Sequence, residues 1–156
     1  MTCKTCELVA RRNAGLAPPW DSIYRTSCWD VAHCFDTYLP GWLVLVLRRH
    51  LASLAELTEV EAVELGQLIR HTSIALKQVT GCVKTYAIQL AESPDHLHVH
   101  FHIIPRLVDP PPERAGVKIF SCIGVPEAER VSEEEMNAIA DRIRGLLLTT
   151  RFEIAV

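Results

Sequence analysis

Four of the seven histidines alternate with apolar residues in the segment HLHVHFHIIPR, residues 96–106. Because successive side chains of a β-strand point to opposite faces, this pattern predicts a strand from His96 to Pro105 whose histidines share one face. The apolar residues between them should face the core: Leu97, Val99, Phe101 and Ile103. A row of imidazoles suits an anionic, tetrahedral centre, since one ring can attack while its neighbours donate hydrogen bonds to the developing charge.

Two other uses of the histidine row remain open from the residues alone. A zinc hydrolase can take a His-x-His pair from one strand, but it also needs a third ligand and an open coordination position. The histidines can alternatively be the solvent-facing residues of a half-buried strand, although Thr, Lys or Glu normally fill such positions. Inhibition by chelators separates the zinc hydrolase from the nucleophilic enzyme.

Capping signals and hydrophobic periodicity predict the elements that position this row. Thr58 with Glu61, and Ser132 with Glu135, are capping boxes that open helices over 59–80 and 133–148. Apolar runs predict further strands over 22–26, 29–35, 42–49 and 84–91. Residues 1–20 are expected to form an arm that ends in the stiff Pro18-Pro19 turn, and residues 109–126 a loop. The order strands, helix, strands, helix favours a single α+β domain over 1–156 with an antiparallel sheet.

The segment from His98 to Arg106 resembles the histidine triad (HIT) family, whose motif is His-x-His-x-His followed by two apolar residues. Residues 41–50, GWLVLVLRRH, resemble the central strand of the family, and the long helix follows where the family has its main helix. The resemblance covers most of the chain and is strongest to the hydrolase-like bacterial branch. It implies about five antiparallel strands, one long central helix and a C-terminal helix.

The resemblance also implies a reaction at the α-phosphate of a nucleotide, with a covalent nucleotidyl-histidine intermediate. His100 matches the nucleophile of the family, and His102 matches the residue that hydrogen-bonds the phosphate and assists the leaving group. The transferase branch typically carries Gln at this third position, so His102 favours a hydrolase or a phosphorylase-like enzyme. The implied substrate is a purine nucleotide containing AMP, either a dinucleoside polyphosphate or a nucleoside phosphoramidate. The alternative is a nucleotide-binding regulatory module with little turnover, which a comparison of binding with turnover distinguishes.

Three further residues match positions near the nucleotide in the family. Gln89 resembles the amide side chain near the α-phosphate, and Asp36 resembles the acid that contacts the ribose hydroxyls. Trp42 stands where members commonly have His, so its ring can stack or pack but cannot replace that hydrogen bond to the nucleotide. Residues 92–95 replace a Gly-Gln-Ser/Thr loop, which leaves the leaving group open. His96 is treated as an accessory histidine, and His33 and His71 carry no signal beyond ordinary positions.

Cys3 and Cys6 have the two-residue gap of a zinc knuckle. Some bacterial members and the related transferases hold zinc with such a pair, a histidine at the end of the central strand and the first triad histidine. The resemblance therefore implies a structural zinc on Cys3, Cys6, His50 and His98, with His98 then orienting the active strand. No organic cofactor is expected, and the other four cysteines are interpreted as buried, reduced thiols.

Charge and hydropathy exclude several function classes. Lys and Arg total 16 against 19 Asp and Glu, a net charge of −3, which argues against a binder of nucleic acid polymers. The longest apolar run, 42–47, is far shorter than the ~20 residues of a membrane span. No signal peptide is visible, so a cytoplasmic protein without a membrane partner is expected. The resemblance implies a homodimer paired through the long helix and a strand beside it, and Trp42 with the apolar face of 60–79 offers surface to bury there.

Overall fold

The computed structural model describes residues 3–150, which form one five-stranded antiparallel sheet with the two longest helices on its core face. The strands are β1 Tyr24–Arg25, β2 Trp29–His33, β3 Leu43–Leu47, β4 Lys84–Ile88 and β5 His100–Arg106. The helices are α1 Lys4–Asn13, α2 Glu59–Thr80 and α3 Glu133–Leu148. The strand order is β1-β2-β3-β5-β4. The α+β architecture expected from the sequence is confirmed.

The register of the two central strands determines which side chains share a face of the sheet. Val44 lies opposite His102, and Val46 lies opposite His100, and directly opposed residues project from the same face. The other face carries the main core, with Leu43, Leu45 and Leu47 packed against α2 and α3. The sheet therefore separates a hydrophobic core from a face that carries two of the triad histidines.

The histidine strand begins later than the alternation predicts. Pro94–His96 form a 3-10 turn in which the His96 amide donates to the Ser93 carbonyl at 2.8 Å. Leu97 follows this turn and is 49% exposed, so its expected place in the core is wrong. Val99 and Ile103 are fully buried, and Phe101 packs against the main core from a half-buried position, as expected.

Both predicted helix starts are present. The Thr58 amide donates to Glu61 Oε2 at 2.8 Å, and the Glu61 amide donates to Thr58 Oγ1 at 3.3 Å. Ser132 Oγ accepts from the Glu135 amide at 3.2 Å. Gly81 ends α2 in the left-handed conformation with φ of 71°. These caps set the ends of α2, which lies between the end of β3 and the start of β4 in the chain. The helix packs on the core face of the sheet.

The expected N-terminal arm contains a helix that the sequence analysis did not predict, since Lys4–Asn13 form α1. One face of α1 is buried through Thr5, Val9 and Arg12, and the two polar members obscure its helical period in the sequence. Arg12 donates to Asp21 Oδ1 at 2.6 Å and to the Asp21 carbonyl at 2.7 Å, which fixes the end of α1. The long-range contacts of α1, not its intrinsic pattern, stabilise this helix.

The segment 109–126 is more ordered than the expected loop. It contains the 3-10 helices Pro112–Arg114 and Gly116–Cys122, and Ile123 pairs with Thr37 as an isolated bridge. This segment brings Phe120 and Ile123 beside the histidine face of the sheet.

No described helix is long and apolar enough to cross a membrane. Of the four cysteines expected to be buried thiols, Cys28 is half-buried and the other three are buried.

Candidate functional site

A cavity of about 370 Å³ lies over the histidine face of the sheet. The strands supply Ala32, His33, Val44, Val46, His100 and His102 to its lining. Five other parts of the chain complete it: α1 with Thr5, Leu8 and Arg12, then Asp21, the segment 34–36, the segment 90–93 with His96, and the pair Phe120 and Ile123. The lining is apolar over most of its extent, and the two triad histidines lie side by side in it.

His100 is held in one orientation by its own strand. Its Nδ1 lies 2.7 Å from the carbonyl oxygen of His98. A carbonyl oxygen can only accept, so Nδ1 donates its proton and Nε2 keeps the lone pair. Burial lowers the pKa of His100, which favours the neutral ring. A neutral imidazole with a free Nε2 lone pair is a nucleophile.

His102 contacts both His100 and Trp42. The ring centroids of His100 and His102 are 5.0 Å apart, and the Trp42 indole N–H donates to His102 Nδ1 at 2.9 Å. Phe120 lies edge-on to His102 at 5.4 Å. Burial, and secondly the charge of His100, lower the pKa of His102 to about 3. The two rings present neighbouring nitrogens to one ligand.

His98 does not line the cavity and is fully buried. Its Nε2 lies 2.7 Å from the carbonyl oxygen of Leu47, so Nε2 carries the proton and Nδ1 has a free lone pair. That lone pair faces two thiols, Cys6 Sγ at 3.5 Å and Cys3 Sγ at 3.8 Å. The side chain of His98 therefore contacts the cysteine pair, whereas its backbone carbonyl accepts a hydrogen bond from His100.

The four residues predicted to hold zinc are brought together. The donor atoms of Cys3, Cys6, His50 and His98 all lie within 4.8 Å of one another, and Cys6 Sγ is 3.3 Å from His50 Nδ1. A tetrahedral zinc ion with Zn–S of about 2.3 Å and Zn–N of about 2.0–2.1 Å separates sulfur from nitrogen by about 3.5 Å. Three of the six donor separations, at 3.3, 3.5 and 3.8 Å, are close to this value.

The three residues expected near the nucleotide occupy different positions. Asp36 lines the cavity and accepts a hydrogen bond from Cys34 Sγ at 3.3 Å. Gln89 is half-buried just beyond the end of β4 and does not line the cavity. Trp42 is fully buried behind His102, so the expectation that it touches the nucleotide or a partner surface is corrected. Its ring packs into the second apolar cluster, with Ile104, Phe120 and Cys122.

Sequence reasoning missed His33, which organises the loop that carries Asp36. His33 Nδ1 donates to the Cys34 carbonyl at 2.7 Å, and His33 Nε2 accepts from the Gly41 amide at 2.9 Å. Burial lowers the pKa of His33 to about 4, so the ring is neutral and can accept at Nε2. Gly41 has φ of 85°, and a Cβ there would lie 2.8 Å from Thr80 Cγ2. Only the structure shows that His33 connects the two ends of this loop, because a lone histidine carries no distinctive signal in the sequence.

The contribution of α1 to the cavity was also missed. Thr5 Oγ1 lies 2.9 Å from His96 Nδ1, and Lys4 forms a 2.6 Å ion pair with Asp95. These contacts fasten α1 to the 94–96 turn. The cavity-lining Arg12 is paired with Asp21 and lies 3.7 Å from Asp30, so its charge is compensated. The sequence separation of these partners hides them from local patterns.

Comparison with known proteins identifies related structures. No protein-family model matches the chain, and no curated protein matches it significantly. A histidine triad protein from Bradyrhizobium japonicum is 25% identical with a TM-score of 0.65, over 80% of this chain and 87% of that chain. A histidine triad protein from Sinorhizobium meliloti is 26% identical with a TM-score of 0.64, over the same shares. A zinc-bound histidine triad family protein from Mycobacterium smegmatis is 17% identical with a TM-score of 0.64, over 96% of this chain and 97% of that chain.

Proposed function

We propose that this chain, which belongs to the histidine triad family, is a nucleotide hydrolase that acts through a covalent bond between His100 and the α-phosphorus. One observation carries the proposal: the hydrogen bond from His100 Nδ1 to the His98 carbonyl leaves the Nε2 lone pair free in a ring that lines the cavity. Such a fixed, neutral imidazole is suited to nucleophilic attack on phosphorus.

The reaction proceeds in two displacements. The Nε2 lone pair of His100 forms a bond to the α-phosphorus, and the bond from phosphorus to the leaving group breaks with its electron pair going to that group. Water then attacks phosphorus and releases one proton to solvent, the N–P bond breaks, and the lone pair returns to Nε2 while the nucleoside monophosphate departs. His102, whose ring centroid is 5.0 Å from that of His100, hydrogen-bonds a phosphoryl oxygen in both steps.

The cavity supports a nucleotide with a flat base. Leu8, Val44, Phe120 and Ile123 offer apolar contacts to the faces of a purine ring. Asp36 offers carboxylate oxygens that accept from ribose hydroxyls. The leaving group then lies toward the segment 90–93. An AMP-containing dinucleoside polyphosphate or phosphoramidate meets these requirements.

We further propose a structural zinc ion on Cys3, Cys6, His50 and His98. These four residues would hold the ion, and it would then cross-link α1, the segment after β3 and the start of the histidine strand. The protein then acts as a homodimer in which α2 contributes its exposed apolar residues Val60, Val63 and Ile74. Unpaired cysteines fit the reducing cytoplasm as its compartment.

The test is direct capture of the intermediate. The protein is mixed with an AMP phosphoramidate or with diadenosine polyphosphate and quenched in acid-free denaturant. It is then digested, and the masses of its peptides are measured by mass spectrometry. The expected result is an added nucleoside monophosphate mass on the peptide containing His100. His100→Ala should reduce turnover by at least ~10³-fold while nucleotide binding survives, because the covalent route is lost. His71→Asn, on α2 and outside the cavity lining, is the matched control.

Two results would contradict the proposal. Near-normal turnover by His100→Ala, or the added mass on another histidine, assigns the nucleophile elsewhere. Nucleotide binding by the unsubstituted protein without turnover of any substrate identifies a binding module.

A further inference from the structure

The hydrogen bond between Trp42 and His102 determines where the proton of His102 resides. An indole nitrogen can only donate, and Trp42 Nε1 lies 2.9 Å from His102 Nδ1. His102 Nδ1 is therefore the acceptor and carries no proton. A neutral ring then has its single proton on Nε2, the nitrogen that remains for a ligand.

The surroundings of His102 do not favour a charged ring. Val44 and Ile88 lie opposite it on the neighbouring strands, and Phe120 and His100 contact its ring. None of these contacts is a carboxylate. The other charged and titratable groups that line the same cavity are Arg12, Asp21, Cys34, Asp36 and Glu92, with His33, His96 and His100. Burial acts in the same direction, because it lowers the pKa of His102 to about 3.

We propose that Trp42 is a positioning residue that holds His102 as a neutral hydrogen-bond donor through Nε2, so that His102 stabilises the phosphoryl group without giving a proton to the leaving group. The chemical consequence rests on the proposed function. The protonation state itself is a property of the free protein. This differs from a triad in which the third histidine acts as the proton donor.

The proton balance of the first displacement follows from this state. His100 forms its bond to phosphorus, the leaving group takes the electron pair of the broken bond, and the proton stays on His102 Nε2. A neutral imidazole that lost its only ring proton would become an anion, so His102 cannot supply that proton. Groups that depart as stable anions are therefore favoured, and poor leaving groups must take a proton from solvent.

The first test measures the tautomer in the unsubstituted protein. Nitrogen NMR of ¹⁵N-histidine-labelled protein, with His102→Asn used to assign the signal, reports which ring nitrogen carries a proton. The expected result is a proton on Nε2 and none on Nδ1 between about pH 5 and 8. A proton on Nδ1, or a doubly protonated ring in this range, would overturn the proposal.

The second test removes the donor. Trp42→Phe keeps an aromatic ring but deletes the indole N–H, and the pKa of His102 should rise by at least about one unit because protonation at Nδ1 no longer breaks a hydrogen bond. Trp29→Phe is the matched control, since Trp29 is also fully buried and donates instead to the Glu61 carbonyl at 3.0 Å. An unchanged His102 titration in Trp42→Phe would contradict the proposal.

The third test examines the leaving group. The unsubstituted protein should cleave the p-nitrophenyl ester of AMP at least ~100-fold faster than the phenyl ester, because acid assistance of that size is missing. Equal rates would show that a proton is supplied and would overturn the second half of the proposal. Failure to cleave either ester contradicts the proposed function. In that case the protonation state of His102 is decided by the NMR result only.

Discussion

Loss of the proposed zinc ligands should loosen one side of the proposed nucleotide cavity. Cys3 precedes α1 and Cys6 lies in its first turn, whereas Thr5 and Leu8 of the same helix line the cavity. Without metal, the start of α1 is held by the Thr5–His96 contact and by the exposed Lys4–Asp95 ion pair. Exposed ion pairs contribute at most about 1 kcal/mol. The double variant Cys3→Ser/Cys6→Ser is the perturbation that isolates this cross-link.

The size of the effect follows from linkage. A ligand that binds only the folded state stabilises it by about 4.1 kcal/mol when its free concentration is about 1,000-fold above the Kd. For a domain of this size, each kcal/mol shifts the melting temperature by about 2–4 °C. The double variant should therefore melt about 8–16 °C below the zinc-loaded protein. Its nucleotide Kd should rise as well, because the α1 part of the cavity is no longer fixed.

The assay combines metal analysis, thermal unfolding and calorimetry with AMP. Protein purified without chelator should contain one zinc per chain, and the double variant should contain none. Cys28→Ser, which changes a half-buried thiol outside the metal group, should retain both zinc and melting temperature. Metal-free unsubstituted protein that melts and binds AMP like the zinc-loaded form would refute the reasoning.

Three further outcomes are expected. Val63→Asp, on the exposed apolar stripe of α2, should convert a dimer to a monomer in light scattering, whereas Val117→Asp, which is 83% exposed and lies away from α2, should not. Arg12→Met should destabilise the fold by about 3–5 kcal/mol in urea unfolding because it leaves buried carboxylates without their partner, and Arg11→Met on the exposed face should change stability by less than about 0.5 kcal/mol. The lowered pKa of His33, about 4 against 6.5 in the unfolded chain, gives stability that is fully present above pH 6.5 and lost as pH falls toward 4. Its loss amounts to about 3 kcal/mol, so His33→Asn should show a correspondingly weaker acid dependence of the free energy of unfolding.

The long helices and the central sheet could be predicted because their signals are local. Thr58 and Ser132 cap helices through residues only three positions away. The apolar face of β5 follows from simple alternation at Val99 and Ile103. Each of these features depends on residues that are close together in the sequence, so it can be recognised before any tertiary contact is known.

The remaining features depend on contacts that local patterns do not contain. α1 is held by Asp21, His96 and Asp95, and the last two lie about ninety residues away in the chain. The 3-10 turn at 94–96 displaces Leu97 from the core, although Leu97 fits the alternation. Trp42 fits a family position near the nucleotide, yet its size directs it into the apolar cluster behind His102. In each case tertiary packing overrides the local pattern.

His98 links the proposed zinc site to the proposed nucleophile, His100, through three separate atoms. Its Nδ1 faces the two thiols, its Nε2 donates to the Leu47 carbonyl, and its own carbonyl accepts from His100 Nδ1. The position of that carbonyl sets the rotamer of the His100 ring and keeps the lone pair on Nε2. A zinc ion on His98 would therefore fix the backbone that orients the nucleophile without entering the reaction. In the proposed mechanism, the first residue of the triad therefore orients the nucleophile through its main chain and holds the metal through its side chain. This division agrees with the structure, in which His98 is fully buried while His100 and His102 line the cavity.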